Sequence, residues 1–333
     1  MAGRPKRRAV IQPTFSSDEL LPKNGFAIED NSSTRNLEAA ETVAAAMRIY
    51  LQHPAHKRLF GSFDYLRHLG RLSAGPKNAM RVLGGSSAGK STAFEQYIAI
   101  DRKRSLPKEG SKPVIMVKLD RACTTKRLVA SILDCYGDQY SESSVESVLR
   151  KRLYHCVEAF ATDLIFVDEV QHLNYRSSER SDPTDTLKRM LDDGIVSLVF
   201  GGDESALQLM NRNIQLANRM IAPGDIHALR FDSADDRAIF RSFVKRLDEE
   251  LVSIGALKQS SCLTDERTLQ CMFVVSSGYL GRVANLVRQS LAIAVRRSAP
   301  AIEVHDLALA TDRWAIEQKI VSYNPFTKGI PHA

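Results

Sequence analysis

Long apolar runs are missing from this sequence of 333 residues. A helix needs about 20 consecutive apolar residues to cross a bilayer, and no run approaches that length, so a membrane-spanning protein is excluded. The first ten residues are basic, but no apolar segment follows them, which excludes a secretory signal. The default expectation is therefore a cytoplasmic protein.

Cysteines are few, and they do not form the patterns that zinc sites or disulfide frameworks require. The chain has five, an odd number, and none of them belongs to a Cys-x-x-Cys pair. This cysteine pattern favours free thiols in a reducing compartment. The five cysteines are Cys123, Cys135, Cys156, Cys262 and Cys271. The sequence also has no nuclease-like cluster of acidic residues.

A strong excess of positive charge is missing from most of the chain. The sequence has 46 Lys and Arg against 39 Asp and Glu, for a formal charge of +7. Four of the excess positive charges come from Arg4, Lys6, Arg7 and Arg8, so the rest of the chain is only weakly basic. The basic tail is either a solvated arm or an electrostatic anchor on phosphate or an acidic partner. Both interpretations stay open.

The order of apolar patterns predicts an α/β domain followed by a helical one. Strand-like runs alternate with helical patterns, which implies right-handed crossovers and a parallel sheet with helices on both faces. We expect a disordered polar leader at 1–36, the α/β domain with N-terminal helices at 37–231, a helical lid at 232–322 and a tail at 323–333. The predicted strands are Ala79–Leu83, Val114–Leu119, Leu164–Val167, Val196–Phe200 and, more weakly, Ile226–Phe231.

A phosphate-binding loop follows the first predicted strand. The run Gly84-Gly85-Ser86-Ser87-Ala88-Gly89-Lys90-Ser91 fits G-x-x-x-x-G-K-[ST] at every defined position, and a helix opens at Thr92. Glycines let backbone N–H groups curl around phosphate, and the helix N-terminus adds a positive dipole. We expect Lys90 to reach the β- and γ-phosphates and Ser91 to hold Mg²⁺. The α/β domain is therefore predicted to bind ATP and Mg²⁺.

Two acidic residues end the third predicted strand. Asp168 lies at the carboxyl end of an apolar run, the edge of a parallel sheet that faces the ligand, where it can hold the Mg²⁺ shell. The adjacent Glu169 can act as general base on the attacking water. A small-molecule kinase has no need of this glutamate, because its nucleophile comes from the substrate. The pair therefore favours ATP hydrolysis.

Later segments carry candidate contacts to the γ-phosphate. The strand Leu198–Phe200 runs into Gly201-Gly202-Asp203, and Gly202 stands where this fold usually has a polar side chain that senses γ-phosphate. Arg212 and Arg219 precede the last predicted strand. Arg282 opens an amphipathic helix in the predicted lid. Arginines at these places are typical of phosphate contacts that close over a nucleotide.

In this order, the motifs resemble those of an AAA+ ATPase, over about residues 37–321. Within that superfamily, the run from Asp168 to Leu173 and the motif from Gly278 to Arg282 most resemble the TniB/TnsC regulators of DNA transposition. The resemblance implies an ATPase that assembles as rings or filaments on double-stranded DNA. It would mark a target site chosen with a targeting factor, hand that site to a transposase, and disassemble on hydrolysis. Gly202 departs from the superfamily pattern, and this departure concerns the expected rate of hydrolysis more than the expected binding of nucleotide.

The resemblance also implies roles for individual basic residues. Arg219 is the candidate for a cation that a neighbouring subunit supplies to the γ-phosphate, with Arg212 as its competitor. The alternative for Arg219 is a salt bridge within its own chain. Arg282 would act on the nucleotide of its own subunit. Contacts to DNA are expected between the second strand and the Asp-Glu strand, where four basic residues lie: Lys126, Arg127, Arg150 and Lys151. The alternative is that these residues are solvated charges on helix surfaces.

Two alternative functions stay open. One is a replication-type loader or origin-binding ATPase, which usually carries a winged helix after the lid, whereas only about a dozen residues follow Val321 here. The other is a P-loop kinase, which DNA-stimulated hydrolysis without a phosphorylated small-molecule product would exclude.

Overall fold

The computed structural model describes residues 30–104, 110–138, 145–173 and 183–330. Most of the predicted leader at 1–36, including Arg4, Lys6, Arg7 and Arg8, lies outside this described part of the chain. Residues 30–36 do not belong to a disordered leader, because they form the start of the first helix.

Within the described residues, four parallel strands form the sheet, in the order β1-β4-β3-β2. Leu83 pairs with Gly202, and Lys118 pairs with Asp168, so the carboxyl ends of the strands lie at one edge. The predicted parallel sheet flanked by helices is confirmed. The strands are β1 Ala79–Leu83, β2 Val114–Lys118, β3 Leu164–Asp168 and β4 Ser197–Gly202.

Helices surround the sheet and make up the region after residue 233. They are α1 Asp30–Ala46, α2 Pro54–Leu72, α3 Lys90–Arg104, α4 Thr125–Asp134, α5 Glu146–Ala159, α6 Pro183–Asp192, α7 Ala206–Arg212, α8 Ile214–Ala217, α9 Ala234–Ser253, α10 Glu266–Ser276, α11 Leu280–Arg296, α12 Val304–Ala310 and α13 Pro325–Lys328. Single turns of 3₁₀ helix lie at Val170–His172 and Cys262–Thr264, and a π-helical turn lies at Thr311–Ile316.

The predicted fifth strand at 226–231 is wrong, since these residues have no strand conformation. The chain pairs with β1 earlier instead: the N–H groups of Ile221, Gly224 and Ile226 donate to carbonyls of β1. Pro223 falls within this segment and has no N–H to donate, so a regular ladder cannot form there.

Alternating side chains of the strands supply two separate cores, one on each face of the sheet. Ile165 and Val167 of β3 point to the face covered by α4, α5 and α6. Phe166 points to the other face, where its ring stacks on Phe94 at 4.5 Å and meets Phe63 edge-on at 5.0 Å. Burial on both faces is what a parallel sheet requires.

The helical region has its own core, and α1 contributes to it. Ala39 and Ala46 are buried there, and Arg296 Nε of α11 donates to Asn36 Oδ1 at 2.9 Å. We predicted the N-terminal helices as part of the α/β domain, but the contacts of α1 lie with the helical region. In the described ranges, no helix has both the length and the apolarity to cross a membrane.

A buried ion network fixes α2 against the sheet. Arg67 is 7% exposed, and its guanidinium donates to Asp163 at 2.7 Å and to Asp101 at 2.6 Å. Burial alone lowers the pKa of Arg67, but its hydrogen bonds to Asp163, Tyr97 and Asp101 raise that pKa above the ordinary value. The network therefore stabilises the charged guanidinium in the interior.

Replacing Arg67 with leucine is expected to lower the free energy of unfolding by about 3 kcal/mol, because it leaves the half-buried carboxylate of Asp101 without its cation and leaves Asp163 with Arg71 alone. The control is Arg104→Ala, which breaks an exposed ion pair with Asp64 at 3.2 Å and should cost under about 1 kcal/mol. Urea unfolding measures both values. Equal losses in the two variants would contradict the stabilising role of the network.

Candidate nucleotide-binding site

The predicted phosphate-binding loop lies between β1 and α3. Gly89 has φ +96°, a left-handed conformation that favours glycine, and a Cβ there would lie 3.0 Å from His56 Nε2. The Lys90 Nζ donates to the carbonyls of Gly84 at 2.7 Å and Gly85 at 3.2 Å. The local sequence thus brings a positive charge and the N-terminus of α3 to the same loop.

The Lys90 ammonium lies among opposing charges. Burial lowers the pKa of Lys90, while the nearby carboxylates of Asp168, Glu169 and Asp203 raise it. All three carboxylates come from the carboxyl edge of the sheet, where β3 and β4 end. The positive charge of Lys90 therefore partly balances the negative charge of these three carboxylates.

Ser91 and Asp168 lie together, as the sequence predicted. The Ser91 hydroxyl donates to Asp168 Oδ2 at 2.6 Å, and Asp168 is 1% exposed. Hydroxyl and carboxylate oxygens are the ligands that Mg²⁺ takes in phosphate sites, so this pair fits the ion. The described residues include no group of three or more His, Cys, Asp or Glu that could hold a metal ion. Phosphate oxygens of a nucleotide and water would supply the other ligands of the ion.

Glu169 follows β3 directly and lines the same cavity as the loop. Its φ is +61°, a left-handed conformation that is uncommon for a side chain other than glycine. The Glu169 N–H donates to Asp168 Oδ1 at 3.0 Å, and its Oε2 accepts a hydrogen bond from Gln171 Nε2. The turn after β3 therefore carries the carboxylate into the cavity.

The cavity has a volume of about 420 Å³ and lies between the loop and the helical region. Residues 86–92 form one wall, and the first turns of α11 form the opposite wall. A Cβ at Gly281 would lie only 2.5 Å from the Ser87 carbonyl oxygen, so this close approach of α11 needs glycine. The cavity is deep enough to hold a small molecule whose phosphates rest in the loop.

Aromatic residues just before α2 and in its first turn line the cavity, and the sequence motifs did not reveal them. Tyr50 and His56 stack with ring centroids 5.9 Å apart, and Tyr50 Oη lies 3.0 Å from His56 Nδ1. His53 caps α2 by accepting from the Ala55 N–H at 3.0 Å. No motif marks these residues, since they reach the loop only when α2 packs on the sheet.

Burial and, to a smaller extent, the neighbouring His53 lower the pKa of His56 to about 4. The unfolded chain therefore binds a proton between about pH 6.5 and pH 4 that the folded chain rejects. His56 contributes stability above pH 6.5, and that contribution is lost as the pH falls towards 4.

We expect the melting temperature of the wild type to fall across this window and that of His56→Gln to fall less. The exposed His155→Gln is the control for loss of a histidine. A pH dependence of melting that is the same in all three proteins would contradict this assignment.

Arg282 and Arg288 of α11 have different surroundings. The Arg282 guanidinium lies over the ring of Tyr279, 4.9 Å from its centroid, and Arg282 is not among the residues that line the cavity. Arg288 does line the cavity, and it donates to Asn285 Oδ1 at 3.0 Å. Burial lowers the pKa of Arg288, and within the described ranges it has no ion pair with a carboxylate. The sequence motif indicated the first arginine and missed the second.

Arg219 lies at the opposite edge of the sheet from the loop. Its carbonyl accepts from the Ala79 N–H at 2.9 Å, at the amino end of β1. A strand of five residues is about 16 Å long, so Arg219 is remote from the cavity of its own chain. Its Nε donates to Asp192 Oδ1 at 2.9 Å, the intrachain salt bridge foreseen as the alternative. The side chain of Arg212 lies outside what the structure describes.

The four basic residues predicted to contact DNA form two separate pairs. Lys126 and Arg127 are exposed in the first turn of α4. Arg150 and Lys151 lie in α5, next to Arg152, which pairs with Asp138 beyond the other end of α4. The structure therefore does not bring all four together. Near the first pair it adds two exposed basic residues that the sequence reasoning missed, Lys118 and Arg121.

Comparison with known proteins gives a family and a fold. The family model described as "Bacterial TniB protein" matches residues 44–223, and no curated protein matches the chain. The fold is similar to that of the Aeropyrum pernix ORC1 protein in complex with DNA, with 15% identity, 79% of this chain and 66% of that chain covered, and a TM-score of 0.56.

Two further solved structures share this fold. The CDC6P protein from Pyrobaculum aerophilum has 11% identity over 80% of this chain and 68% of that chain, with a TM-score of 0.58. The Aeropyrum pernix ORC2 protein, in ADPNP-ADP complexes, has 16% identity over 76% and 67%, with a TM-score of 0.54. The chain thus spans about two thirds of the length of these structures. They bear out the predicted AAA+ architecture of a parallel sheet followed by a helical region.

Proposed function

Because the chain belongs to the family of bacterial TniB proteins, we propose that it is an ATP-dependent regulator of DNA transposition. It assembles on double-stranded target DNA, helps to select the site together with a targeting factor, and recruits and activates a transposase. Hydrolysis of ATP then drives disassembly. The observation that carries the proposal is that Lys90, Ser91 and Glu169 line a cavity covered by α11 at one edge of the sheet, with Asp168 buried behind Ser91 and hydrogen-bonded to it.

Binding of ATP uses groups that the fold already holds in place. The backbone N–H groups of the loop and the Lys90 ammonium bind the β- and γ-phosphates. The phosphates then replace the carbonyls of Gly84 and Gly85 as hydrogen-bond acceptors of Lys90. Ser91 and Asp168 would hold Mg²⁺, which neutralises charge on the phosphates when it is bound.

Hydrolysis needs a proton acceptor and a further cation. Glu169 accepts the proton of the attacking water as general base. Arg219 acts on the γ-phosphate of a neighbouring copy, a role supported by its position at the sheet edge opposite its own loop. In that assembly it exchanges Asp192 for phosphate as its partner.

Both Arg288 and Arg282 of α11 are proposed to contact the nucleotide from the helical region. Arg288→Ala is expected to weaken ATP binding about tenfold, since a half-buried guanidinium facing the cavity is worth about 1.5 kcal/mol or more to an anionic or polar ligand. Arg282→Ala should have a smaller effect on affinity, because its guanidinium lies over Tyr279. Titration with a fluorescent ATP analogue gives both dissociation constants. The reverse ranking would restore Arg282 as the main lid contact.

Contacts to DNA are proposed for exposed basic residues from the end of β2 to the first turn of α4: Lys118, Arg121, Lys126 and Arg127. Arg150 and Lys151 would contact DNA separately, from α5. Contacts of lysine and arginine to phosphate are independent of base sequence and weaken steeply with salt.

Two alternative functions, an origin-binding ATPase and a kinase, have less support. The likeness of the fold to ORC1 in complex with DNA favours an origin-binding ATPase as the second candidate. The family match over residues 44–223 supports transposition over that candidate. A kinase is less favoured because Glu169 lines the cavity, where it would serve an attacking water.

The test of the proposed function is assembly of the full-length chain on duplex DNA with a non-hydrolysable ATP analogue. We expect rings or filaments in electron micrographs, only when nucleotide and DNA are both present, and DNA-stimulated release of phosphate when ATP is used. Lys90→Ala is the control that should not assemble. Absence of DNA binding at low salt, or transfer of phosphate to a small molecule, would contradict the proposal.

A further inference from the structure

The position of Gly202 explains why the expected polar side chain is missing from the end of β4. A Cβ at Gly202 would lie 2.8 Å from Gln171 Oε1, 3.0 Å from Val170 Cγ2 and 3.1 Å from Ala206 Cβ. The Gln171 amide therefore occupies the space that a side chain at residue 202 would take. Gln171 comes from the turn after β3, two residues beyond Glu169.

The Gln171 amide is anchored at both of its polar atoms. Its Oε1 accepts from the Asp203 N–H at 3.2 Å, and its Nε2 donates to Glu169 Oε2. Only the amide oxygen of Gln171 can accept a hydrogen bond from an N–H group, and only its NH₂ group can donate to a carboxylate oxygen. The amide orientation is therefore fixed, since a flipped amide would lose both hydrogen bonds.

Glu169 is held at its backbone as well. Its N–H donates to Asp168 Oδ1 at 3.0 Å, and its carbonyl accepts from the His172 N–H at 2.9 Å. The side chain beyond that backbone has several rotatable bonds, and among the described residues its carboxylate accepts a side-chain hydrogen bond from Gln171. The contact from Gln171 thus determines which way the carboxylate faces in the cavity.

From these contacts we infer that Gln171 is a positioning residue for the general base Glu169 and fills the place that Gly202 leaves open. This inference rests on the proposed ATP hydrolysis. Gln171 is not among the residues that line the cavity. It acts by keeping the Glu169 carboxylate in one orientation, and misplacement by about 1 Å can reduce a rate about 100-fold.

The inference predicts a fall in turnover without a fall in affinity. Gln171→Ala removes both hydrogen bonds, and Gln171→Glu keeps the length of the side chain but replaces the donor with a repelling oxygen. Both variants should lower kcat at saturating ATP about 10- to 100-fold and leave the dissociation constant of ATP within about twofold. Gly202→Ser should lower kcat similarly, because it displaces the Gln171 amide.

The control is Gln208→Ala, which removes an exposed glutamine from α7 and should retain wild-type turnover. Melting temperatures and ATP titrations accompany each rate. Unchanged kcat in Gln171→Ala beside an active wild type would overturn the inference alone, and so would a loss of ATP affinity equal to the loss of rate. A wild-type chain that does not hydrolyse ATP would contradict the proposed function, and this inference with it.

Discussion

Replacing Lys90 with alanine is expected to weaken ATP binding about 100-fold or more, which corresponds to about 3 kcal/mol. Burial lowers the pKa of Lys90, and the nearby carboxylates of Asp168, Glu169 and Asp203 offset only part of that shift. Without the ammonium, these three carboxylates repel the triphosphate that the loop would otherwise bind. The loss is therefore larger than that of one hydrogen bond.

Two further variants separate this loss from misfolding. Lys90→Met keeps most of the side-chain length and should lose ATP binding equally, with a melting temperature close to that of the wild type. Lys103→Ala removes an exposed lysine from the last turn of the same helix and should bind ATP normally. Isothermal titration with ATP and Mg²⁺ measures the affinities. Wild-type affinity in either Lys90 variant would contradict the predicted role of the loop.

The sequence was sufficient to predict the loop and the acidic pair, because both are local. Lys90 and Ser91 lie within one motif, and Asp168 and Glu169 end one apolar run. Carboxyl ends of parallel strands meet at one edge of a sheet. Once a parallel sheet is predicted, the contact between Ser91 and Asp168 therefore follows, although 77 residues separate them in the chain.

Residues outside the motifs could not be predicted in the same way. Tyr50 and His56 reach the cavity through the packing of α2, which no local pattern specifies. The choice between Arg282 and Arg288 depends on how α11 is rotated about its axis, and both residues lie on one amphipathic helix. The approach of Gln171 to Gly202 depends on the distance between two strand ends.

The predicted DNA contacts show the same limit at the surface. The sequence groups Lys126, Arg127, Arg150 and Lys151 because they fall between two strands. In the structure, α4 and α5 place the two pairs apart, and Arg152 next to the second pair is engaged by Asp138. Proximity in sequence therefore overstated their proximity in space.

The second large effect is expected from Glu169→Gln, which should lower ATP turnover about 100- to 10,000-fold, the usual contribution of a general base. An amide cannot take up the proton of the attacking water. Its oxygen can still accept from Gln171 Nε2, and its backbone keeps the contacts to Asp168 and His172. The geometry of the site should therefore persist, and the dissociation constant of ATP should stay within a few-fold of the wild type.

The same variant should remain assembled on duplex DNA in the presence of ATP, whereas the proposed function predicts that the wild type disassembles as it hydrolyses. Phosphate release and sedimentation of DNA-bound protein, followed in parallel, measure the two properties. The control is Glu204→Gln, an identical substitution at an exposed residue just after β4, which should hydrolyse ATP and disassemble like the wild type. Undiminished turnover in Glu169→Gln would rule out Glu169 as the general base. Turnover lost together with ATP binding would instead make Glu169 part of the binding site, because a base acts only on nucleotide that is already bound.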